Sequence, residues 1–363
     1  MEKKMKCSKL VEDLKEQILS GKIKPGDKIS SENVLAREYE ISRQTVRKAI
    51  DILRNEGFLY AEHGRGTFCS DMIKQSSSSG NVAVVMTFLS DYIFPHIIQG
   101  IDEVLEREEY SILLKSTHNF RKVEAKCLEE LVKKNIDGLI IEPSKSRVAF
   151  KGHDAFSVLD RYQVPYVFIQ GVYHGMEDKP YVVLDDELGG YLITKHLIEM
   201  GHKKIIGIFK SDDQQGQGRH NGYVKALTEA GIWYDPERVV WFHTEDMYTL
   251  PEEMIRDLAG RMDFDAIVGY NDRIAIDAIR GLEARGLRVP EDVSVTGFDD
   301  SELARNFKVP LTTVKHPQSK IGEAAAELLV KLMKGQTLDA DKLHIRMKPE
   351  LVVRESTRKK ETP

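Results

Sequence analysis

The sequence lacks the features that would place it in a membrane, outside the cell or around a metal ion. It contains no run of about eighteen apolar residues, and its first ten residues, MEKKMKCSKL, are charged where an export signal would be apolar. Its three cysteines, Cys7, Cys69 and Cys127, are far apart and include no C-x-x-C pair, so neither a zinc site nor a disulfide framework is expected. These absences predict a cytoplasmic protein with no metal site.

The sequence also lacks the short motifs of common enzyme classes. It has no G-x-S-x-G, no H-E-x-x-H and no phosphate-binding loop. The pairs Asp185–Asp186 and Asp299–Asp300 are the features that most favour an enzyme. Adjacent residues on an extended strand point to opposite faces, however, so neither pair forms an acid/base dyad by itself. An enzyme is therefore the weaker alternative, and no catalytic residue or cofactor is predicted. A transporter's binding protein is a third alternative, disfavoured because it would need an export signal.

Length and charge predict more than one domain but no uniformly basic protein. A chain of 363 residues is long enough for two or three domains. Its net charge is −5, yet residues 1–72 hold 14 Lys and Arg against 12 Asp and Glu, which leaves 39 against 46 for the remainder. This mild asymmetry permits an N-terminal nucleic-acid-binding domain without requiring one.

The stretch from Ser42 to Ile50, SRQTVRKAI, predicts a capped amphipathic helix. Ser42 is a good N-cap, and Val46, Ala49, Ile50 and Leu53 recur at the spacing of a buried helix face. The first turn then offers Arg and Gln side chains, which can pair with guanine and adenine edges. Taken alone, such a basic helix could equally be a solvated surface.

The segments around this helix favour DNA. A short helix, ENVLAREYE, precedes it, capped by Ser31 and with Val34, Leu35 and Tyr39 as the inner face, so the pair predicts a helix-turn-helix. Two strand-like runs follow, Phe58 to Glu62 and Thr67 to Ser70, joined by a Gly-Arg-Gly tip. This hairpin predicts a wing beside the recognition helix, although a hairpin without a ligand is the alternative.

The N-terminal unit resembles the winged helix-turn-helix of GntR-type bacterial regulators. The elements SE-x-x-LA, SR-x-TVR-x-A, L-x-x-EG and G-x-GTF occur in that order, with Ser30 where the family often has proline. The resemblance implies a double-stranded operator DNA partner. The residues that it places at DNA are Lys6, Glu32, Arg43, Gln44, Thr45, Arg47, His63, Gly64, Arg65 and Gly66.

A serine-rich linker separates this unit from a larger one. We expect a DNA-binding domain at 1–71, a flexible linker at 72–80, a large domain at 81–356 and a tail at 357–363. In the large domain, apolar β-branched runs alternate with helical patterns, which predicts doubly wound parallel sheets in two α/β lobes with a cleft between them.

Polar residues follow nearly every predicted strand, where open α/β sheets bind ligands. Carboxylates, amides and cations match the hydroxyls of a sugar, and Tyr92, Phe94, Tyr173 or Tyr270 could stack on its apolar face. Polar residues at strand ends are also common turn formers, which is the alternative for each one alone. The predicted effector-binding residues are Asp91, Tyr92, Glu142, Gln170, Lys210, Arg219, Asn271, Asp272, Asp299 and His316.

The large domain resembles LacI/GalR-type effector domains, which are similar to periplasmic sugar-binding proteins. DGLIIEP, GHKKIIGI, GRHNGYVKAL, AIVGYND, VPEDVSVTGFDDSELA and LTTVKHPQSKIGEAAAELL carry this resemblance. It implies ligand roles for Arg219, Asn271, Asp299 and His316, while Gln170 replaces the aspartate of many members. The uncommon pairing with a GntR-type head implies a homodimeric repressor of arabinose utilisation genes, with L-arabinose as the effector. Spacing and composition alone predict only a small polar ligand, so another small sugar is the alternative.

Overall fold

A computed structural model describes residues 2–19, 22–70, 78–89, 92–148 and 154–360, of which 2–6, 19 and 154 are described by their backbone alone. The chain forms two compact units. The first comprises residues 1–83, 125–139 and 151–166, and the second comprises residues 84–124, 140–150 and 167–363. Of the expected linker at 72–80, residues 72–77 lie outside the described residues, while Ser78, Ser79 and Gly80 lie inside them.

The first unit begins with three helices and a two-stranded sheet. These are α1 (Glu2–Leu19), α2 (Glu32–Glu38), α3 (Arg43–Asn55), β1 (Leu59–Glu62) and β2 (Gly66–Cys69). β1 and β2 pair antiparallel, with Glu62 opposite Gly66. Apolar side chains at helical spacing close a small core, which includes Leu10, Leu14, Ile18, Leu35, Val46 and Leu53. The predicted winged helix-turn-helix is confirmed.

The inner face of α2 differs from the prediction. Leu35 is buried, but Val34 is 40% exposed, so its assignment to the inner face was wrong. The helix has only seven residues, and a helix of two turns can turn few positions towards a core. Ser31 occupies the N-cap position, but its side chain makes no capping hydrogen bond.

The rest of the chain alternates strands and helices, as the apolar runs predicted. The elements up to the middle of the large domain are β3 (Asn81–Met86), α4 (Phe94–Arg107), β4 (Ser111–Ser116), α5 (Arg121–Lys133), β5 (Gly138–Ile141), α6 (Asp154–Arg161), β6 (Tyr166–Ile169), β7 (Tyr181–Leu184), α7 (Asp186–Glu199), β8 (Ile205–Lys210), α8 (Gln214–Glu229) and β9 (Val239–Phe242). Those that follow are α9 (Leu250–Leu258), β10 (Ala266–Val268), α10 (Asp272–Glu283), β11 (Ser294–Thr296), α11 (Glu302–Asn306), β12 (Thr313–Lys315), α12 (Gln318–Met333), α13 (Ala340–Leu343), β13 (His344–Met347) and β14 (Glu350–Val352).

These strands form two main sheets. The order is β13-β7-β6-β5-β3-β4 in a six-stranded sheet and β11-β10-β8-β9 in a four-stranded sheet, and β12 with β14 forms a small third sheet. β8 pairs parallel with β9 and β10, and β7 pairs parallel with β6 and β13. β12 and β14 pair antiparallel. The predicted α/β class with parallel sheets is confirmed.

Glycines allow two helices of the second unit to pack backbone against backbone. A Cβ added at Gly190 of α7 would lie 2.1 Å from the carbonyl oxygen of Arg219. One added at Gly222 of α8 would lie 2.1 Å from the carbonyl oxygen of Glu187. Since α8 carries Arg219, this close contact fixes the position of the guanidinium described below.

The residues at the C-terminal end of the described chain are hydrogen-bonded to the second unit. The Lys360 amide donates to the carbonyl oxygen of Met200 at 2.8 Å, and its ammonium lies 2.5 Å from the carboxylate of Asp265. His196 Nε2 contacts Thr357 Oγ1 at 3.0 Å. None of the described helices is long and apolar enough to span a bilayer.

Candidate functional site: a winged helix and a ligand cavity

The start of α3 presents a compact polar surface. Ser42 caps the helix, because its Oγ accepts a hydrogen bond from the Thr45 amide at 3.2 Å, as predicted. The predicted inner face is buried and consists of Val46, Ala49, Ile50 and Leu53. Arg43 and Gln44 are exposed on the opposite side of the first turn. The first turn of α3 therefore exposes a guanidinium and an amide group next to each other.

Arg47 is oriented by Glu32. Its Nε lies 3.1 Å from one carboxylate oxygen of Glu32, and its Nη2 lies 3.0 Å from the other. The hydrogen bond from this guanidinium, together with its charge, lowers the pKa of the Glu32 carboxyl. The two residues were both predicted to lie at DNA. The structure places them on the same surface, where a bidentate pair sets the direction of the Arg47 side chain.

The wing ends in an exposed tip. His63, Gly64 and Arg65 are exposed, and Gly64 and Gly66 have φ values of +73° and +124°, which glycine adopts without strain. The Arg65 guanidinium pairs with the Glu62 carboxylate. Lys28 is not among the residues predicted to lie at DNA, but it is also exposed. Its Nζ lies 6.0 Å from the centroid of the Phe68 ring. Lys6 lies in α1, but its side chain is outside the described residues.

The second unit contains a cavity of about 290 Å³. It lies beyond the carboxyl ends of strands from both main sheets, where such sheets bind ligands. The volume is near the lower end for small-molecule sites. Six of the ten predicted effector-binding residues line it, namely Glu142, Gln170, Lys210, Arg219, Asn271 and Asp299.

The other four predicted residues take different positions. Asp91 lies outside the described residues. The Tyr92 hydroxyl donates to Asp299 Oδ2 at 2.5 Å, and His316 Nε2 contacts Gln170 Oε1 at 2.9 Å, so both support residues of the cavity without lining it. Burial lowers the pKa of His316 to about 3, and the charge of Arg219 adds to the effect. His316 is therefore a neutral imidazole at physiological pH.

Asp272 is fully buried and does not line the cavity. Its carboxylate accepts a hydrogen bond from the Ser301 amide at 2.8 Å and one from Thr313 Oγ1 at 2.7 Å. Each carboxylate oxygen thus accepts a hydrogen bond from within the fold. The adjacent Asn271 does line the cavity, and its side chain caps α10 by accepting from the Ile274 amide at 2.9 Å.

Arg219 is the buried cation of the cavity. Its Nε lies 2.9 Å from Asp186 Oδ1, its Nη1 donates to the Tyr270 carbonyl oxygen at 2.6 Å, and its Nη2 lies 3.7 Å from Asp299 Oδ1. The guanidinium carbon lies 3.6 Å from the centroid of the Phe298 ring. Burial alone would lower the pKa of Arg219, but Asp186 and Asp299 raise it further than burial lowers it. Arg219 is therefore permanently charged.

A second polar group combines Glu142, Lys210 and Asp213. The Thr87 amide donates to Glu142 Oε2 at 2.8 Å, and Lys210 Nζ lies 3.0 Å from Asp213 Oδ2. The Tyr270 hydroxyl donates to the same Asp213 oxygen at 2.8 Å. Burial raises the pKa of Glu142 to about 7. Near neutral pH this carboxyl can accept a hydrogen bond or donate one, as a ligand hydroxyl requires.

Asp212 and Asp213 both follow β8 but lie in different surroundings. Asp212 is fully buried, and its Oδ2 accepts a hydrogen bond from Thr244 Oγ1 at 2.8 Å. Asp213 lines the cavity and caps α8 by accepting from the Gly216 amide at 2.8 Å. The sequence signal for Asp213 was its N-cap position, because an aspartate directly before a helical pattern is a strong cap.

Aromatic side chains complete the cavity wall. Of the predicted stacking candidates, Phe94 and Tyr270 line it, while Tyr173 is buried with its hydroxyl on Glu124 Oε1 at 2.7 Å. Rings that the sequence reasoning missed are Phe88, Phe242 and Tyr248. A cavity with charged hydrogen-bonding groups and aromatic faces suits a small polyhydroxylated ligand.

A winged helix-turn-helix followed in the same chain by such a cavity is the arrangement of ligand-responsive transcriptional regulators. Two family models match the chain accordingly. "Bacterial regulatory proteins, gntR family" matches residues 6–69, and "periplasmic binding protein-like domain" matches residues 194–357.

Two relatives of known name show to which family of regulators the chain belongs. The arabinose metabolism transcriptional repressor of Halalkalibacterium halodurans is 41% identical over 95% of this chain and 95% of its own length. The repressor of the same name from Geobacillus stearothermophilus is 38% identical over 97% of this chain and 98% of its own. The chain belongs to the family of transcriptional repressors that these two proteins represent.

Solved structures agree with this family. The transcriptional regulator CelR in complex with cellobiose has a TM-score of 0.69 and 28% identity, over 86% of this chain and 90% of its own. The transcription regulator CcpA of Lactococcus lactis has a TM-score of 0.67 and 26% identity, over 77% of this chain and 99% of its own. Both similarities extend over most of the large domain.

Proposed function

We propose that this protein represses genes of arabinose utilisation and is released from operator DNA when L-arabinose fills the cavity. The observation that carries the proposal is one chain with an exposed Arg-Gln surface on its winged helix and a polar, aromatic-lined cavity in its second unit. The relatives at 38–41% identity, which are named as arabinose metabolism repressors, support the choice of sugar. A repressor of the same architecture that responds to another small sugar is the alternative.

At DNA, the first turn of α3 enters the major groove of each half-site. Arg43 and Gln44 reach base edges, because guanidinium and amide groups pair bidentately with guanine and adenine. The tip from His63 to Arg65 approaches the phosphate backbone or a minor groove. Binding therefore weakens with added salt, because each cation that neutralises a phosphate releases a condensed counterion. Operator affinity that stays constant between 50 and 200 mM salt would contradict this docking.

In the cavity, the sugar contacts two polar groups. Arg219 and Asp299 form one of them, and Glu142 with Lys210 and Asp213 forms the other. Phe94 and Tyr270 cover the apolar face of the ring. A thermal-shift screen of pentoses and hexoses tests the effector, since a ligand of the folded state raises the melting temperature by mass action. A hexose that gives the largest shift, with none for L-arabinose, would favour the alternative sugar.

The two sites are coupled in a homodimer that joins through the large domains and reads a near-palindromic operator. Sugar binding then favours dimers whose wings no longer match both half-sites. By thermodynamic reciprocity, operator DNA weakens sugar binding by the same factor, for which a coupling of about 1–3 kcal/mol means about 5–150-fold. Calorimetric titration of sugar into free protein and into the operator complex measures this factor. Equal affinities in the two titrations would reject the mechanism.

We propose no catalytic activity, and a cytoplasmic location follows from the DNA partner. The members of the two carboxylate pairs have different partners within the fold. Asp185 caps α7, Asp186 pairs with Arg219, and Asp300 pairs with Arg305 and Arg354. Incubation of the purified protein with pentoses tests this part, and product above background would contradict it.

A further inference from the structure

The winged helix contacts another part of its own compact unit at the end of α1. Arg161, the last residue of α6, donates from Nη1 to the carbonyl oxygen of Ile18 at 2.5 Å. Ile18 lies one residue before the end of α1, and the last carbonyls of a helix have no partner within it. A guanidinium at this place both satisfies a free acceptor and faces the negative end of the helix dipole.

An aromatic contact lies beside this hydrogen bond. The rings of Phe58 and Tyr162 meet edge to face, with centroids 5.6 Å apart and planes at 82°. Both are almost completely buried, at 5% and 7% exposure. Lys15 Nζ lies 5.1 Å from the centroid of the Phe58 ring and 2.7 Å from Glu56 Oε2. An ion pair between Lys15 and Glu56 therefore lies beside the aromatic contact. A buried aromatic pair with this geometry is a stabilising contact.

The chain also returns to a fixed point after the winged helix. Asp137, the residue before β5, accepts hydrogen bonds from Ser78 Oγ at 2.7 Å, from the Ser79 amide at 2.9 Å and from the Gly80 amide at 2.8 Å. Seven residues separate Ser70 from Ser78 in the sequence, a length that can span at most about 30 Å. The winged helix is therefore held to Arg161 at the end of α1, and the chain that follows it is held to Asp137.

The contact leaves the DNA-reading residues uncovered. Arg43, Gln44 and the tip from His63 to Arg65 are exposed, although Ile18 and Phe58 are buried. A contact that inhibits DNA binding would cover Arg43, Gln44 and the tip of the wing. This one uses the C-terminal end of α1 and the residue before β1, so it holds the winged helix without blocking its reading surface.

We propose that Arg161 and Tyr162 form a docking site for the chain's own winged helix and so act as positioning residues for operator binding. The inference rests on the proposed homodimeric repressor. A docked winged helix has a restricted orientation, which raises the effective concentration of the second reading helix at the second half-site once the first is bound. A winged helix held only by its covalent connection loses this advantage, although it reads a single half-site equally well.

The test compares a full operator with an isolated half-site, using the full-length protein and fluorescence anisotropy. Arg161→Ala and Tyr162→Ala are each expected to weaken binding of the full operator about tenfold and to leave half-site binding unchanged. Arg161→Lys keeps a cation near the Ile18 carbonyl, and Tyr162→Phe keeps the ring against Phe58, so both are expected to regain most of the affinity. Lys122→Ala, which removes an exposed cation of α5, is the matched control and is expected to change neither value.

Three outcomes would overturn the inference. Unchanged affinity of both alanine variants for the full operator would show that the contact does not position the winged helix. An equal loss on half-site and full operator would assign the two residues to folding of the winged helix, while the proposed repressor would stand. A wild-type protein that gains nothing from the second half-site would refute the dimeric repressor, and the inference with it.

Discussion

Arg219 is at once a candidate ligand contact and the counter-ion of a buried carboxylate. Asp186 and Asp299 both lie next to its guanidinium. Arg219→Ala is therefore expected to lower the free energy of unfolding by about 3–5 kcal/mol, because Asp186 would remain buried without its cation. Urea denaturation at pH 7 measures the loss. In the double variant Arg219→Met with Asp186→Asn, most of it should be regained, and a double variant as unstable as the single one would contradict the reason given.

Because of this structural role, Arg219→Ala is a poor test of sugar recognition. Asp299→Asn is a better one, since it keeps the shape of the side chain and its contact with Tyr92. It is expected to weaken sugar binding and to leave operator affinity unchanged.

Glu142 predicts a pH dependence of stability. Its pKa is about 7 in the folded protein against an ordinary value of 4.5, so the folded state keeps a proton that the unfolded chain releases. Stability therefore falls as the pH rises from about 4.5 to about 7. Glu142→Gln removes this effect, and the variant should be more stable than wild type by about 1–3 kcal/mol at pH 8, with the difference shrinking towards pH 4. Thermal unfolding of both proteins at the two pH values measures it, and a difference independent of pH would contradict the assignment.

Arg43 and Lys48 allow a comparison within one helix. Both are exposed cations of α3, but only Arg43 lies in its first turn. Arg43→Ala is expected to lower operator affinity by about 1–3 kcal/mol if the side chain reads a base, whereas Lys48→Ala should have a smaller effect that is the same for specific and random DNA. Sugar affinity should not change in either variant. Equal losses on operator and random DNA for Arg43→Ala would limit its role to phosphate contact.

At the scale of elements, the contact between α7 and α8 fixes the position of the cavity's cation. Gly222→Ala would bring a methyl group to 2.1 Å from the Glu187 carbonyl oxygen, so the helices must separate. We expect a stability loss of about 1–3 kcal/mol from overpacking and weaker sugar binding, because Arg219 moves with α8. Asn221→Ala, on the exposed side of the same helix, is the control. Calorimetric sugar titration that shows wild-type affinity for Gly222→Ala would separate helix packing from the site.

Elements with strong local signals could be predicted from the sequence. α3 has its cap and inner face in adjacent residues, and β1 and β2 adjoin a glycine tip, so local chemistry determines them. Residues such as Glu142 and Asn271 could be found because the carboxyl ends of parallel strands converge. β13 could not be found, since it pairs with β7 about 160 residues earlier and no local pattern encodes the partner. The side-chain directions of Asp212 and Asp213 likewise depend on tertiary contacts.

At the scale of the whole molecule, the two tryptophans of the chain provide an optical signal. Trp233 is 88% exposed, whereas Trp241 is 36% exposed and packs against His220 and Phe209 at ring-centroid distances of 4.8 and 5.9 Å. Trp241 also precedes Phe242 of the cavity wall. Iodide should quench the emission of Trp233 first, and Trp233→Phe leaves Trp241 as the sole indole. Its emission should then shift when sugar enters the cavity, so occupancy can be followed by fluorescence without an attached dye.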